Sequence, residues 1–185
     1  MADVVKTYIA FFRGINVGGK NILPMKELVS VLREIGLKNI KTYIQSGNAV
    51  FRSKEENIML LSNRIGLKIK EKYGFEPNTQ VLGLKELEDA ISENPFPEAE
   101  SKPESLHLGF LAARPKNPDL KSLEILKKDS ERFQLNNRIF YLYAPDGIGR
   151  SKLAAKSESL LGVSMTDRNW RTVCKIRDMA RGING

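Results

Sequence analysis

The sequence predicts an α+β protein made of two ferredoxin-like βαββαβ repeats followed by a C-terminal helix. Three observations carry that expectation. Short β-branched runs alternate with segments of helical period along the whole chain. The order strand, helix, strand, strand, helix, strand occurs twice. The most linker-like stretch, residues 94–103 with prolines at 95, 97 and 103, falls between the two occurrences. The halves share a pattern rather than letters, and a single mixed sheet is the competing arrangement.

The elements follow in order. A strand is expected over residues 7–15. A helix opens at Pro24, a favoured first helical position, carries Leu28, Val31, Leu32 and Ile35 at helical spacing, and stops at Gly36. Strands over 40–45 and 49–53 flank Ser46-Gly47-Asn48, a tight-turn signal that reads as a hairpin. A helix over 56–73 ends at Gly74, and a strand over 79–84 closes the first repeat, with a short helix over 85–92 behind it. The second repeat reads as strand 106–113, helix 119–128, a strand near 132–135, an Asn136-Asn137 turn, strand 139–143, helix 151–161 and a short extended piece at 163–165. A final helix runs from about 168 to 181, with Thr166 or Asp167 as its cap. The expected domains are therefore 1–93 and 104–185, joined by the linker 94–103.

In such a unit the first and third strands are expected to lie side by side and parallel, so that the loops leaving them share one edge. That places residues 13–21 with Arg52 and Ser53, and Ala113-Arg114-Pro115 with residues 144–152.

A chain of 185 residues with 41% apolar content can bury a core, and no apolar run approaches the roughly 20 residues that span a bilayer. The N-terminus lacks the pattern of a signal peptide. The one cysteine, Cys174, has no internal partner, which agrees with a reducing compartment, and the protein is expected to be cytoplasmic. The formal charge is +8, with 14 basic against 10 acidic residues over 1–92 and 16 against 12 over the rest. Both halves are equally basic, but residues 150–185 carry eight basic groups against three acidic ones. This bias suits an anionic small molecule, a nucleotide or a nucleic acid, while a basic surface also serves solubility.

Residues 13–21, Arg-Gly-Ile-Asn-Val-Gly-Gly-Lys-Asn, hold the densest chemistry. Backbone N–H groups around Gly18 and Gly19, with charge from Arg13 and Lys20, can cradle an anion, although a plain glycine turn needing positive φ uses the same letters. The segment also spells G-x-x-x-x-G-K, yet Asn21 stands where a phosphate-binding loop needs a Mg²⁺-binding hydroxyl, and the helix starts too late. A second loop, with Gly147, Gly149, Arg150, Ser151 and Lys152, again joins strand to helix through glycines. Its two cations disfavour the helix N-terminus unless an anion joins them, and a turn with a Ser cap is the plainer alternative. Tyr43, Gln45 and Asn48 can add hydrogen-bonding groups.

On the last helix, Arg168, Arg171 and Lys175 fall on one face, a stripe suited to phosphates or simply to solvent. Trp170 and Cys174 read as packed residues, with Arg177 among them. His107 has no second His or Cys nearby, so no metal site is expected, and no cofactor is implied. Tyr141 and Tyr143 alternate as in an RNA-binding sheet, but its glycine-aromatic signature is missing. Serine-hydrolase, glycosidase and dinucleotide-binding signatures are absent too.

With these residues in view, the chain resembles the bacterial family catalogued as domain of unknown function 1697. The matching letters are residues 13–21 with Met25; Thr42-Tyr43-Ile44-Gln45-Ser46-Gly47-Asn48 with Val50 and Phe51; Pro145-Asp146-Gly147 with Ser151 and Lys152; and Arg168-Asn169-Trp170 with Thr172, Val173 and Lys175. The resemblance implies a duplicated ferredoxin-like protein and no established activity. The leading functional reading is binding of a phosphate-bearing or carboxylated ligand at Arg13, Asn16, Gly18, Gly19 and Lys20. If the protein is an enzyme, acylphosphatase-like hydrolysis is the nearest fold analogy, with Arg13 stabilising negative charge and Asn16 or Asn48 orienting water. The alternatives are a nucleic-acid module using Arg168, Arg171 and Lys175, and a protein-interaction module whose glycines are structural. Oligomeric state is not legible.

Overall fold

A computed structural model of the chain describes residues 4–183. The first sheet contains β1 (Lys6–Arg13), β2 (Lys38–Tyr43), β3 (Asn48–Ser53) and β4 (Asn78–Gly83) in the order β2-β3-β1-β4, with α1 (Met25–Glu34) and α2 (Ile58–Tyr73) as crossovers. A further helix, α3 (Leu84–Ser92), follows. The second sheet repeats the plan: β5 (Leu106–Leu111), β6 (Arg132–Asn136), β7 (Ile139–Tyr143) and β8 (Met165–Asn169) in the order β6-β7-β5-β8, with α4 (Leu120–Leu126) and α5 (Lys152–Leu161) between them and α6 (Trp170–Gly182) last. The fold is a duplicated ferredoxin-like α+β arrangement.

Two compact units divide the chain, one from Met1–Asp89 with Lys175–Gly185 and one from Ala90–Cys174. The C-terminal residues thus join the first unit, and the stretch 94–103 lies inside the second, where Pro97–Ser101 forms a 3₁₀ turn. Among the described residues no helix is long and apolar enough to cross a membrane.

The limits of α1 and α2 have local reasons. Pro24 precedes α1, and Gly36 at φ 87 closes it with bonds from Gly36 N–H to Arg33 O and from Leu37 N–H to Leu32 O, a paired left-handed cap. Asn57 caps the start of α2 by accepting from Leu60 N–H, and Gly74 ends it at φ 76. Leu28, Val31 and Leu32 of α1 pack with Leu61, Ile65 and Ile69 of α2 against Tyr8, Ala10 and Phe12 of β1. The intervening residues Ile9 and Phe11 are also fully buried, so both faces of this strand are covered.

Strand direction corrects one expectation. β1 and β3 are neighbours but antiparallel, with Lys6 opposite Ser53 and Phe11 opposite Asn48. The crossover through α1 makes β1 parallel to β2, and the hairpin then reverses β3. The loop after β1 therefore meets the β2–β3 turn, while Arg52 and Ser53 lie at the opposite end of the sheet. The same holds in the second unit, where Leu106 faces Tyr143, so residues 113–115 and the loop 144–152 are at opposite ends.

The C-terminal segment corrects another. Residues 165–169 form an edge strand on β5, pairing Leu111 with Met165 and His107 with Asn169. Thr166 and Asp167 are in that strand, and the helix cap is Asn169, whose Oδ1 accepts from Thr172 N–H at 2.9 Å. Pairing with β5 outweighs the local cap signal, because leaving that edge of β5 open would strand its backbone groups.

Candidate functional site

At one end of the first sheet, β1 releases the chain at Arg13 into Gly14, whose φ of 80 turns it away from the strand. Ile15 plugs into the core and is 1% exposed. Residues 16–21 then form a small hairpin: Asn16 N–H donates to Asn21 O at 3.1 Å and Lys20 N–H to Val17 O at 3.0 Å. Gly18 and Gly19, at φ 59 and 71, are its two-residue turn, where positive φ at both positions matches the strand twist. Two asparagine side chains lock it. Asn21 Nδ2 donates to Gly14 O at 2.8 Å. Asn16 Nδ2 donates to Leu23 O and Gln45 O, both at 2.9 Å, and its Oδ1 accepts from Leu23 N–H at 2.8 Å.

The bond to Gln45 ties the hairpin to the β2–β3 turn. There Gly47 has φ 89, and a Cβ on it would stand 2.7 Å from Ile15 Cδ1 and 2.8 Å from Phe12 Cβ. Phe12 N–H donates to Gly47 O at 2.9 Å. Asn48 is fully buried, and its Nδ2 donates to Tyr43 O at 2.9 Å. Ser46-Gly47-Asn48 is thus a docking joint as well as a hairpin turn. Ile44 sits at φ 50, a conformation a β-branched residue adopts only when its surroundings impose it.

The joint brings Arg13, Asn16, Gly18, Gly19, Lys20 and Asn48 to one end of the first unit. It also separates them by role. The Asn16 and Asn48 amides are engaged in backbone bonds and build the loop, whereas Arg13 and Lys20 are exposed. Three apolar side chains share that end: Val17, Ile22 and Ile44 are 65%, 56% and 48% exposed. Sequence reading missed them because apolar letters beside strands read as core.

The second loop lies in the other unit. Gly147 turns at φ 81, residues 148–150 make one 3₁₀ turn, and the buried Ser151 caps α5 by accepting from Ala154 N–H at 3.0 Å. Asp146 accepts from Ser130 Oγ at 2.8 Å. Gly149, Arg150 and Lys152 remain exposed at that helix start.

The expected basic stripe does not assemble as drawn. Arg168 is on β8, half-buried, with Nη1 donating to Asp167 O at 2.8 Å; burial pushes its guanidinium down to about 10, against the pull of Asp167. Arg171 and Lys175 are exposed one turn apart on α6, and Arg171 pairs with Glu104 at 3.6 Å. Trp170 is buried and Cys174, the one cysteine of the chain, is half-buried. His107 Nδ1 lies 2.8 Å from Asp167 Oδ2. Tyr141 is fully buried, its hydroxyl donating to Ala90 O at 2.7 Å, and burial pushes its phenol well up. Tyr143 packs on Phe96, with the Arg132 guanidinium 4.8 Å above its ring. A fully buried Tyr141 is closed to nucleobases. Among the described residues no cluster of His, Cys, Asp and Glu suits a metal.

These motifs and this fold agree with what comparison finds. Residues 5–141 match the model of a family described as a protein of unknown function, DUF1697. The chain belongs to the DUF1697 family. The matched stretch includes both segments of the locked joint and stops before residues 145–152 and 168–175. The fold resembles that of the conserved bacterial protein SP0830 from Streptococcus pneumoniae, with 24% identity, a TM-score of 0.73, and coverage of 96% of this chain and 99% of that one. A search of curated proteins finds no match. Within this DUF1697 member, the loop joint is the best-defined arrangement that its motifs build.

Proposed function

We propose that this protein binds an anionic group, phosphate or carboxylate, at the locked hairpin of the first unit, with Arg13 and Lys20 supplying charge and Gly18 and Gly19 a close backbone approach. One observation carries the reading: a hairpin held by Asn16 and Asn21 presents exposed cations on a fixed frame, which reduces the entropy lost when a ligand docks. The reading is binding without turnover. Acylphosphatase-like hydrolysis would need an amide to orient water, and the Asn16 and Asn48 amides are engaged elsewhere. Gly149, Arg150 and Lys152 offer a weaker site of the same kind in the second unit.

The test is thermal unfolding of the wild type and of Arg13→Ala/Lys20→Ala with phosphate, nucleotides, acyl phosphates and short oligonucleotides at two salt concentrations. A ligand that binds the folded state raises the midpoint. A rise caused by a small anion and lost in the double variant supports the reading. A rise from oligonucleotides alone, retained in the double variant and erased by salt, moves the function to a nucleic-acid surface. Turnover of an acyl phosphate that Arg13→Ala abolishes would restore the hydrolytic reading.

A further inference from the structure

At the opposite end of the first sheet, away from the hairpin, a cleft of about 180 Å³ opens among the end of α1, the start of β2, the end of β3 and α2. Its lining carries four cationic side chains, Lys38, Arg52, Lys54 and Arg64, and one carboxylate, Glu55. Each arginine is anchored by one donor: Arg52 Nη2 donates to Val5 O at 3.2 Å, and Arg64 Nη2 to Ile35 O at 2.8 Å, on the carbonyl end of α1. The Glu55 carboxylate is turned back onto its own loop, where Oε1 accepts from Asn57 N–H at 2.8 Å. Lys38, Arg52 and Arg64 thus bring three cations to one small hollow, and an anion there would lower their mutual repulsion.

A second observation points the same way. Arg52 Nε is buried and has no hydrogen-bond partner among the described residues. Donors of a charged group are rarely left so, because desolvation without a partner is costly. With an oxyanion in the cleft, a small turn of the guanidinium toward it would pair Nε, and the planar fork of Arg52 suits two oxygens at once.

We propose that this cleft is a separate binding site for a small oxyanion, of phosphate or carboxylate size, held by Arg52 with Lys38 and Arg64. Its volume lies below the range that accepts drug-sized ligands, so the group it takes is a single phosphate or carboxylate and not a whole nucleotide. The two ends of the sheet then bind independently.

The test follows arginine Nε–H resonances of ¹⁵N-labelled protein by NMR while inorganic phosphate is added at constant ionic strength held with sodium chloride. The Arg52 Nε signal should move and saturate. Lys38→Ala, which removes an exposed charge and leaves the core intact, should weaken that binding about tenfold, and Lys38→Ala/Arg64→Ala more. In Arg13→Ala/Lys20→Ala the Arg52 response should be unchanged, which separates this site from the hairpin. An Arg52 Nε signal that stays still with both phosphate and acetate, that drifts without saturating, or that saturates alike in Lys38→Ala overturns the proposal. Acetate in place of phosphate then shows which oxyanion the cleft prefers, and a response to neither refutes it.

Discussion

Asn16→Ala tests the claim that one amide holds the joint together. The substitution removes two donated bonds, to Leu23 O and Gln45 O, and the acceptor for Leu23 N–H. The bond to Gln45 O is exposed, so water replaces it and the loss there is about 0.5 kcal/mol. The two bonds to Leu23 are partly buried and leave a donor and an acceptor short, about 1 to 1.5 kcal/mol each. Residue 16 also holds φ 54, where alanine lacks the local bonding that asparagine uses, for about 1 kcal/mol more. Together these lower stability by about 4 kcal/mol. Urea unfolding followed by circular dichroism measures it from midpoint and slope. Asn16→Asp keeps the acceptor and tolerates the conformation but sets a carboxylate oxygen against Leu23 O and Gln45 O, so it should lose about as much as Asn16→Ala. A loss below about 1 kcal/mol in Asn16→Ala would refute the reasoning, since the hairpin would then be held by something other than this amide.

Gly47→Ala should cost about 3 kcal/mol or more, because residue 47 combines φ 89 with a Cβ position inside contact of Ile15 and Phe12; a thermal midpoint near wild type would show that the joint relaxes freely. Tyr141→Phe leaves Ala90 O without its buried donor and should lower stability by about 1 to 2 kcal/mol, read from the same urea curves. Asp119, which caps α4 by accepting from Ser122 N–H and Oγ, has its carboxyl held below the ordinary value chiefly by the backbone bond. Its contribution is present above the unfolded aspartate pKa and fades as pH falls through the lower folded value, so carboxyl NMR should show Asp119 titrating low and Ser122→Ala moving it only part of the way back.

How far the fold was legible follows from which forces are local. Helix limits at Gly36, Gly74 and Ser151 sit where the letters place them, because a left-handed cap or a side-chain acceptor acts within four residues. Strand boundaries shift by a residue or two for the opposite reason: a strand ends where its neighbour does. The region 165–169 shows the limit most clearly, since a good cap signal at Thr166 and Asp167 yields to an edge position on a sheet whose other strands lie up to 63 residues earlier in the sequence.

The sequence by itself determined the duplicated element order, the helix limits at Gly36, Gly74 and Ser151, and the loops in which glycines, asparagines and cations collect, all of them consequences of periodicity and short-range bonding. Only the tertiary structure decided which of those loops meet. Antiparallel pairing of β1 with β3 joins the hairpin to the turn at Gly47 through an Asn16 bond 29 residues long in sequence, and sends Arg52 to the far end, into a basic cleft. Whether an asparagine is a free ligand or a strut, and whether an arginine is paired or waiting, depends on partners that the fold brings from a distance, and no local pattern of letters encodes those distances.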